Sequence, residues 1–244
     1  MISIITITYN AERWIETTIR SVLAQTCKDY EYIIVDGASS DGTMDIVRRL
    51  EPQFEGRLRY QSEPDYGIYD AMNKGLHRAR GEFLWFINAG DSVYDNQTLS
   101  HVCACADADV DIIYGRTAII NEQGLKVSEY HKETPVVLRK SSLLNGLVVC
   151  HQAILVRRSI AVNYDTRYHI SADFDWVIKA IEKSHKNVFL DEYVAKYLTL
   201  GISATQRKDS WEERFIIMCH HFGICRTLWA HILIVLRYPF SIKY

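Results

Sequence analysis

From residue 2 to residue 91 the chain alternates short β-branched or aromatic runs with stretches whose apolar residues recur at helical spacing. Residues 2–8 (I-S-I-I-T-I-T) read as a buried strand. Residues 11–25 follow, with Trp14, Ile15, Thr18, Ile19, Val22 and Leu23 at helical spacing. Residues 30–35 give a second strand, and 44–50 a helix with Asp41 or Thr43 as its cap. Residues 58–62 read as a strand, 68–79 as a helix ended by Gly81, and 83–87 as a strand stopped by Asn88-Ala89-Gly90-Asp91. Such alternation predicts a mostly parallel sheet with helices on both faces. Ligands of open sheets of this kind bind beyond the carboxyl ends of the strands. Thr8-Tyr9-Asn10, Asp36 and Asn88 to Asp91 all fall at strand ends, so their side chains are expected to converge on one crevice.

The second half is less regular. Residues 112–120, 148–156 and 188–190 read as strands, and 172–184 as a helix opened by Asp173 and Asp175. Residues 228–236 are apolar apart from His231 and are flanked by Arg226, Arg237 and Lys243. That run is too short to span a bilayer. It is expected either to lie in the plane of a membrane surface or to dock on the core or a partner. We expect one domain over 1–205, with a regular half (1–95) and a less regular half (96–205), and a C-terminal helical segment over 206–244.

Several function classes are disfavoured. A net charge of −2 argues against a dedicated nucleic-acid binder. No G-x-G-x-x-G follows the first strand, as a dinucleotide-dependent oxidoreductase would need. Asn10-Ala11-Glu12-Arg13 lacks the glycines of a triphosphate-cradling nucleotidyltransferase loop. The six cysteines have neither C-x-x-C nor zinc-finger spacing, which points to reduced thiols in a cytosolic protein.

The polar residues fit a different chemistry. A tyrosine at a strand end can stack on a base, and Asp36 can accept a hydrogen bond from a base N–H. Taken singly, Asp36 is also a common turn former, and Tyr9 a common core residue. Asp91 is a carboxylate suited to Mg²⁺ or Mn²⁺ with substrate phosphates. Asp173 or Asp175 could act as a general base, the other serving as a cap or pairing elsewhere.

Taken together, Tyr9-Asn10, Asp36-Gly37-Ala38-Ser39-Ser40-Asp41-Gly42-Thr43, Asn73-Lys74-Gly75, Gly81-Glu82-Phe83 and Asn88-Ala89-Gly90-Asp91 resemble, in order and spacing, the family 2 inverting glycosyltransferases. The likeness resumes at Cys150-His151-Gln152 and at residues 170–176. The segment from Glu63 to Gly75 resembles bacterial transferases that assemble exopolysaccharides of the colanic-acid type.

The resemblance implies a GT-A fold of α/β class: a mostly parallel nucleotide-binding sheet, a less regular acceptor side and a C-terminal helical segment. It implies that a sugar moves from a nucleotide-diphosphate sugar to a hydroxyl of a glycan, lipid-linked at the cytoplasmic face of a membrane. Asp173 is the implied base. Thr8, Tyr9, Asp36, Asp65, Asn73, Lys74, Asn88 and Asp91 are the expected donor-side residues, with His151, Gln152 and His169 on the acceptor side. Mg²⁺ or Mn²⁺ is the implied cofactor, held by Asp91. Two positions depart from the family pattern: only one acid stands in Asn88-Ala89-Gly90-Asp91, and Ala172 replaces the usual Glu beside Asp173. They motivate one alternative, a non-catalytic binder of nucleotide sugar or glycan with a degenerate site. The absence of Q-x-x-R-W and of long apolar spans argues against a processive, membrane-channel synthase.

Overall fold

The computed structural model describes residues 1–130, 132–199 and 207–241, with side chains for all of these except 207–209 and 234–241. The order is β1 (Ile2–Thr8), α1 (Ile15–Leu23), β2 (Tyr30–Asp36), α2 (Thr43–Leu50), β3 (Leu58–Ser62), α3 (Ile68–Arg78) and β4 (Phe83–Phe86). Then come β5 (Ser92–Val93), α4 (Thr98–Ala104), β6 (Ile112–Ile120), β7 (Lys126–Glu129), β8 (Ile154–Arg157), α5 (Ala172–Lys183), β9 (Asn187–Leu198), α6 (Arg207–Phe222) and α7 (Ile224–Ser241).

The strands form one sheet in the order β3-β2-β1-β4-β8-β6-β9-β5, with β7 paired to β6. The four strands expected in the first half pair in parallel around β1. The sheet then changes character: β8 is antiparallel to both β4 and β6, and β9 is parallel to β6. Every residue of β1 and β2 is buried, as strands covered on both faces require. Several polar groups inside this slab are paired. The Thr6 hydroxyl donates to Ile87 O at 2.6 Å, and Ser3 donates to Glu31 at 2.6 Å.

Two sequence expectations need correction, and three elements went unread. The strand expected over 148–156 is β8 alone, preceded by a 3-10 turn at His151–Ala153. The strand at 188–190 is the beginning of a much longer β9. Neither β5, α4 nor β7 was legible. Each is short or solvent-facing, so it lacks the apolar repeat that marks an element in sequence.

Trp85 and Trp176 are the largest fully buried side chains, and their indole N–H groups donate to Gln152 O (2.8 Å) and Val162 O (2.7 Å). Each such ring contributes roughly 1.5–3 kcal/mol or more by leaving water. The indole bonds also fasten the 150–164 segment to β4 through Trp85 and to α5 through Trp176. The C-terminal helices join the core through α5: His221 Nε2 lies 2.7 Å from Asp175 Oδ1, with both side chains almost wholly buried.

Candidate active site

The loops after β1 and β2 are joined by side chains acting as backbone surrogates. Asn10 N donates to Ser39 Oγ (2.8 Å), Ser40 N to Asn10 Oδ1 (2.9 Å), and Ala11 N to Thr43 Oγ1 (2.8 Å). Asn10 and Ala38 hold left-handed backbone angles, φ 46° and 61°. Residues in that region store strain that the surrounding bonds must offset. Asp36 anchors this joint. Its carboxylate is fully buried and accepts from Ser39 N (2.9 Å), the Ser39 hydroxyl and the Ser62 hydroxyl (2.6 Å). The turn-forming use of Asp36 is therefore realised.

Tyr9 does the opposite of core filling, since its ring is 65% exposed at the lip of the crevice. Asp65 faces it across Gly37. A methyl group on Gly37 would fall 2.5 Å from Asp65 Oδ2 and 3.3 Å from the Tyr9 ring, so glycine is what allows these walls to approach. Tyr66, which the sequence reading passed over, is 98% exposed beside them. Deeper in, Thr8 Oγ1 and Asn88 Oδ1 are buried without a hydrogen-bond partner among the described residues.

Asp91 is turned inward. Its Oδ2 accepts from Gln152 Nε2 at 2.7 Å and its Oδ1 from Leu198 N at 3.0 Å. Burial pushes its carboxyl up to about 7, against the opposing pull of those two bonds. Gly90 has φ +100°, and a side chain there would crowd Leu198 at 3.2 Å. A second acid at that position is thus disfavoured by the backbone itself. Among the described residues no three His, Cys, Asp or Glu side chains come together around a metal ion. Asp91 is the expected Mg²⁺ or Mn²⁺ ligand; each of its oxygens accepts a hydrogen bond from the protein, so an ion held there would compete with Gln152 and Leu198 N. A further ligand is expected from His169 or from the 199–203 loop, of which residues 200–203 lie outside the described residues.

Two further expected donor-side residues have structural partners of their own. Asn73 is spent on the backbone of Tyr164, donating to its carbonyl (3.0 Å) and accepting from its N–H (2.7 Å). Lys74 donates to Pro64 O (2.8 Å) and pairs with Asp70 (3.2 Å) and Glu63 (3.5 Å), stapling the 63–70 loop to α3. Both side chains build the wall of the crevice.

On the other side, α5 carries the two candidate carboxylates, and packing separates them. Asp175 is buried between Lys179 (2.6 Å) and His221. Asp173 is half-buried; its Oδ1 accepts from Phe174 N (2.8 Å) and lies 3.3 Å from the Tyr69 hydroxyl, which itself donates to Ile170 O (2.6 Å). Its Oδ2 makes no hydrogen bond among the described residues. His151 is buried against Phe86 and Trp176 and lies 2.8 Å from the Tyr164 hydroxyl. Burial lowers its imidazole below the usual range, with Asp173 pulling the other way. Burial likewise pushes the Cys150 thiol up to about 12; Asp91 and Asp173 both contribute, so the two carboxylates share this neighbourhood. His169 is exposed and helps line a small cavity between the start of α3 and residues 166–169.

Sequence reasoning missed Tyr69, because a tyrosine in a helical repeat reads as core. It also missed a pair of cations. Lys132 is lowered to about 8 by burial and by Arg214. Arg214 Nε is buried with no hydrogen-bond partner among the described residues.

The glycosyl transferase family 2 model matches residues 3–164. A PGL/p-HBAD biosynthesis glycosyltransferase of Mycobacterium bovis is 33% identical over 184 residues, covering 73% of this chain and 69% of that protein. A putative teichuronic acid biosynthesis glycosyltransferase of Bacillus subtilis is 24% identical over 208 residues, covering 85% and 82%. Among solved structures, Staphylococcus aureus TarS (residues 1–349) in complex with UDP-GlcNAc superposes with a TM-score of 0.72 at 19% identity, covering 99% of this chain and 76% of that one. The mannosyltransferase PcManGT of Pyrobaculum calidifontis, with GDP-Man and Mn²⁺, gives 0.70 at 18% identity, covering 99% and 71%. The fold is of the GT-A kind, as the sheet order and these superpositions agree. The chain is a glycosyltransferase and belongs to glycosyl transferase family 2.

Proposed function

We propose that the chain transfers a sugar, with inversion, from a nucleotide-diphosphate sugar to a hydroxyl of a glycan in bacterial surface polysaccharide synthesis. The observation that carries this reading is Asp173: a carboxylate with one oxygen fixed by Phe174 N and close to Tyr69, and the other without a hydrogen bond among the described residues. In this reading Asp173 takes the acceptor's proton. The acceptor oxygen then bonds to the anomeric carbon from the face opposite the diphosphate, and the departing bond leaves its electron pair on the nucleoside diphosphate. The transition state has oxocarbenium character, as in glycoside hydrolysis.

Tyr9 offers its exposed face to the base, while Asp65, Thr8 and Asn88 offer polar atoms to ribose and sugar. Asp36 acts by shaping the loop. His151 and Gln152 hold the floor beneath the acceptor. No step is routed through a metal. A lipid-linked acceptor is supported by the relatives' names, which place them in PGL/p-HBAD and teichuronic acid biosynthesis. It is also supported by α6 and α7, which expose Trp211, Ile216, Ile224, Leu228, Trp229 and Ile232. Among the described residues no helix is long and apolar enough to cross a membrane, so contact would be with a bilayer surface.

The test is release of nucleoside diphosphate from UDP-, GDP- and dTDP-sugars, with and without a lipid-linked glycan extract, for the wild type and Asp173→Asn. Acceptor-stimulated release that collapses in the variant supports the proposal. Tight donor binding with no turnover from any donor would favour a non-catalytic binder instead.

A further inference from the structure

The family model ends at residue 164, and beyond it a carboxylate grips the backbone just before the candidate base. Glu213, on α6, lies across the N-terminus of α5. Its Oε1 accepts from His169 N at 2.7 Å, and its Oε2 from Ile170 N at 2.9 Å and Ser171 N at 2.8 Å. The approach to a helix N-terminus leaves N–H groups unsatisfied and carries partial positive charge, so an acid is favoured there. Ser171, the residue before α5, provides no side-chain cap; its hydroxyl lies instead 3.3 Å from Ser210 Oγ.

The segment gripped by Glu213 ends two residues before Asp173. Its central carbonyl, Ile170 O, receives the Tyr69 hydroxyl that also approaches Asp173. Position 172 is a fully buried alanine. The chain therefore lacks an acid beside Asp173 in sequence and brings one from a distant helix. Further along α6, His221 locks onto buried Asp175, so α6 is attached to α5 at both ends of the contact.

We propose that Glu213 is a positioning residue for Asp173: by fixing the 169–171 backbone it sets the direction of the base carboxylate, which makes α6 part of the catalytic apparatus. This rests on the reading of Asp173 as base. A displacement of about 1 Å at a reacting group costs up to roughly 100-fold in rate, which sets the scale of the effect.

The test uses the full chain, with nucleoside diphosphate release from UDP-GlcNAc and GDP-mannose and calorimetric binding of UDP and GDP. Glu213→Gln is expected to lower turnover about 10- to 100-fold while nucleotide affinity stays within about twofold. Glu213→Asp, which keeps the charge, is expected to recover part of the rate. In an Asp173→Asn background Glu213→Gln is expected to cost nothing more, because the two act as a unit. Wild-type turnover in Glu213→Gln, or an independent loss on top of Asp173→Asn, would overturn the proposal. If Glu213→Gln gives no cooperative thermal transition, Glu213→Asp decides by the same criterion: reduced turnover at unchanged nucleotide affinity supports the proposal, and wild-type turnover overturns it. A wild-type rate in Asp173→Asn removes the base assignment itself, so the two failures are told apart by which single variant keeps its rate.

Discussion

Gln152 Nε2 donates to Asp91 Oδ2 at 2.7 Å, tying the end of β4 to the turn that precedes β8. The same carboxylate receives Leu198 N, so three distant segments meet on one buried acid. Gln152 Oε1 is in turn held by the Cys150 thiol at 2.9 Å, which fixes the orientation of the amide.

This latch gives a pH dependence with a definite sign. The Asp91 carboxyl lies near 3.8 in the unfolded chain and near 7 when folded. Between those values the folded protein keeps a proton the unfolded chain has lost. The contribution to stability is therefore complete below about pH 4, falls as pH rises to about 7, and is flat above. Asp91→Asn should flatten that decline in thermal midpoint between about pH 5 and pH 7.5. The amide must also turn Gln152 over, which loosens its contact with Cys150. An unchanged slope in the variant would mean that Asp91 is not the group responsible.

Metal binding provides a second prediction. Because both Asp91 oxygens are committed and Gly90 cannot readily carry an acid, the ligand-free protein should not bind Mn²⁺ below millimolar concentration. Titration calorimetry with Mn²⁺ alone checks this. A micromolar site that disappears in Asp91→Asn would restore Asp91 as a ligand.

Tyr69→Phe keeps the ring stacked on Tyr164 but removes the hydroxyl that serves Ile170 O and approaches Asp173. An unpaired buried carbonyl costs about 1–3 kcal/mol. Thermal or urea unfolding should show a loss of that size. Nucleoside diphosphate release should fall about tenfold as the base loses one constraint. UDP affinity should not change. Full turnover in the variant would show that this contact has no part in catalysis.

The exposed apolar groups of the C-terminal helices predict binding to a lipid surface. The full chain should float with vesicles of phosphatidylcholine and phosphatidylglycerol. Trp229→Glu combined with Ile232→Glu should weaken flotation by at least about fivefold. Both residues are exposed and lie outside the crevice, so donor turnover should persist. Equal flotation of variant and wild type would assign this face to another role.

The β-branched runs, the helical repeats and the polar strand ends were legible because each is a property of neighbouring residues. Burial imposes a period of two or continuous apolarity on a strand and 3.6 on a helix. Hence β1, β3 and β6 appear where the pattern puts them, and α5 differs only at its last residue. Tyr9 at a strand end and the acid pair on α5 could likewise be nominated from spacing.

What the nominated side chains do was decided in three dimensions. Asn73 clamps Tyr164, Asp91 binds Gln152 and Leu198, and Glu213 caps residues 169–171. Asp175 is withdrawn into a buried pair, while one Asp173 oxygen makes no hydrogen bond among the described residues. A hydrogen bond depends on a few tenths of an ångström between groups far apart in the chain, and nothing in local sequence period encodes that distance. The chain's sequence thus determined the sheet, its crevice and the family; only the packing of α3, α5 and α6 determined which carboxylates stay open to a ligand and which are consumed in holding the crevice together.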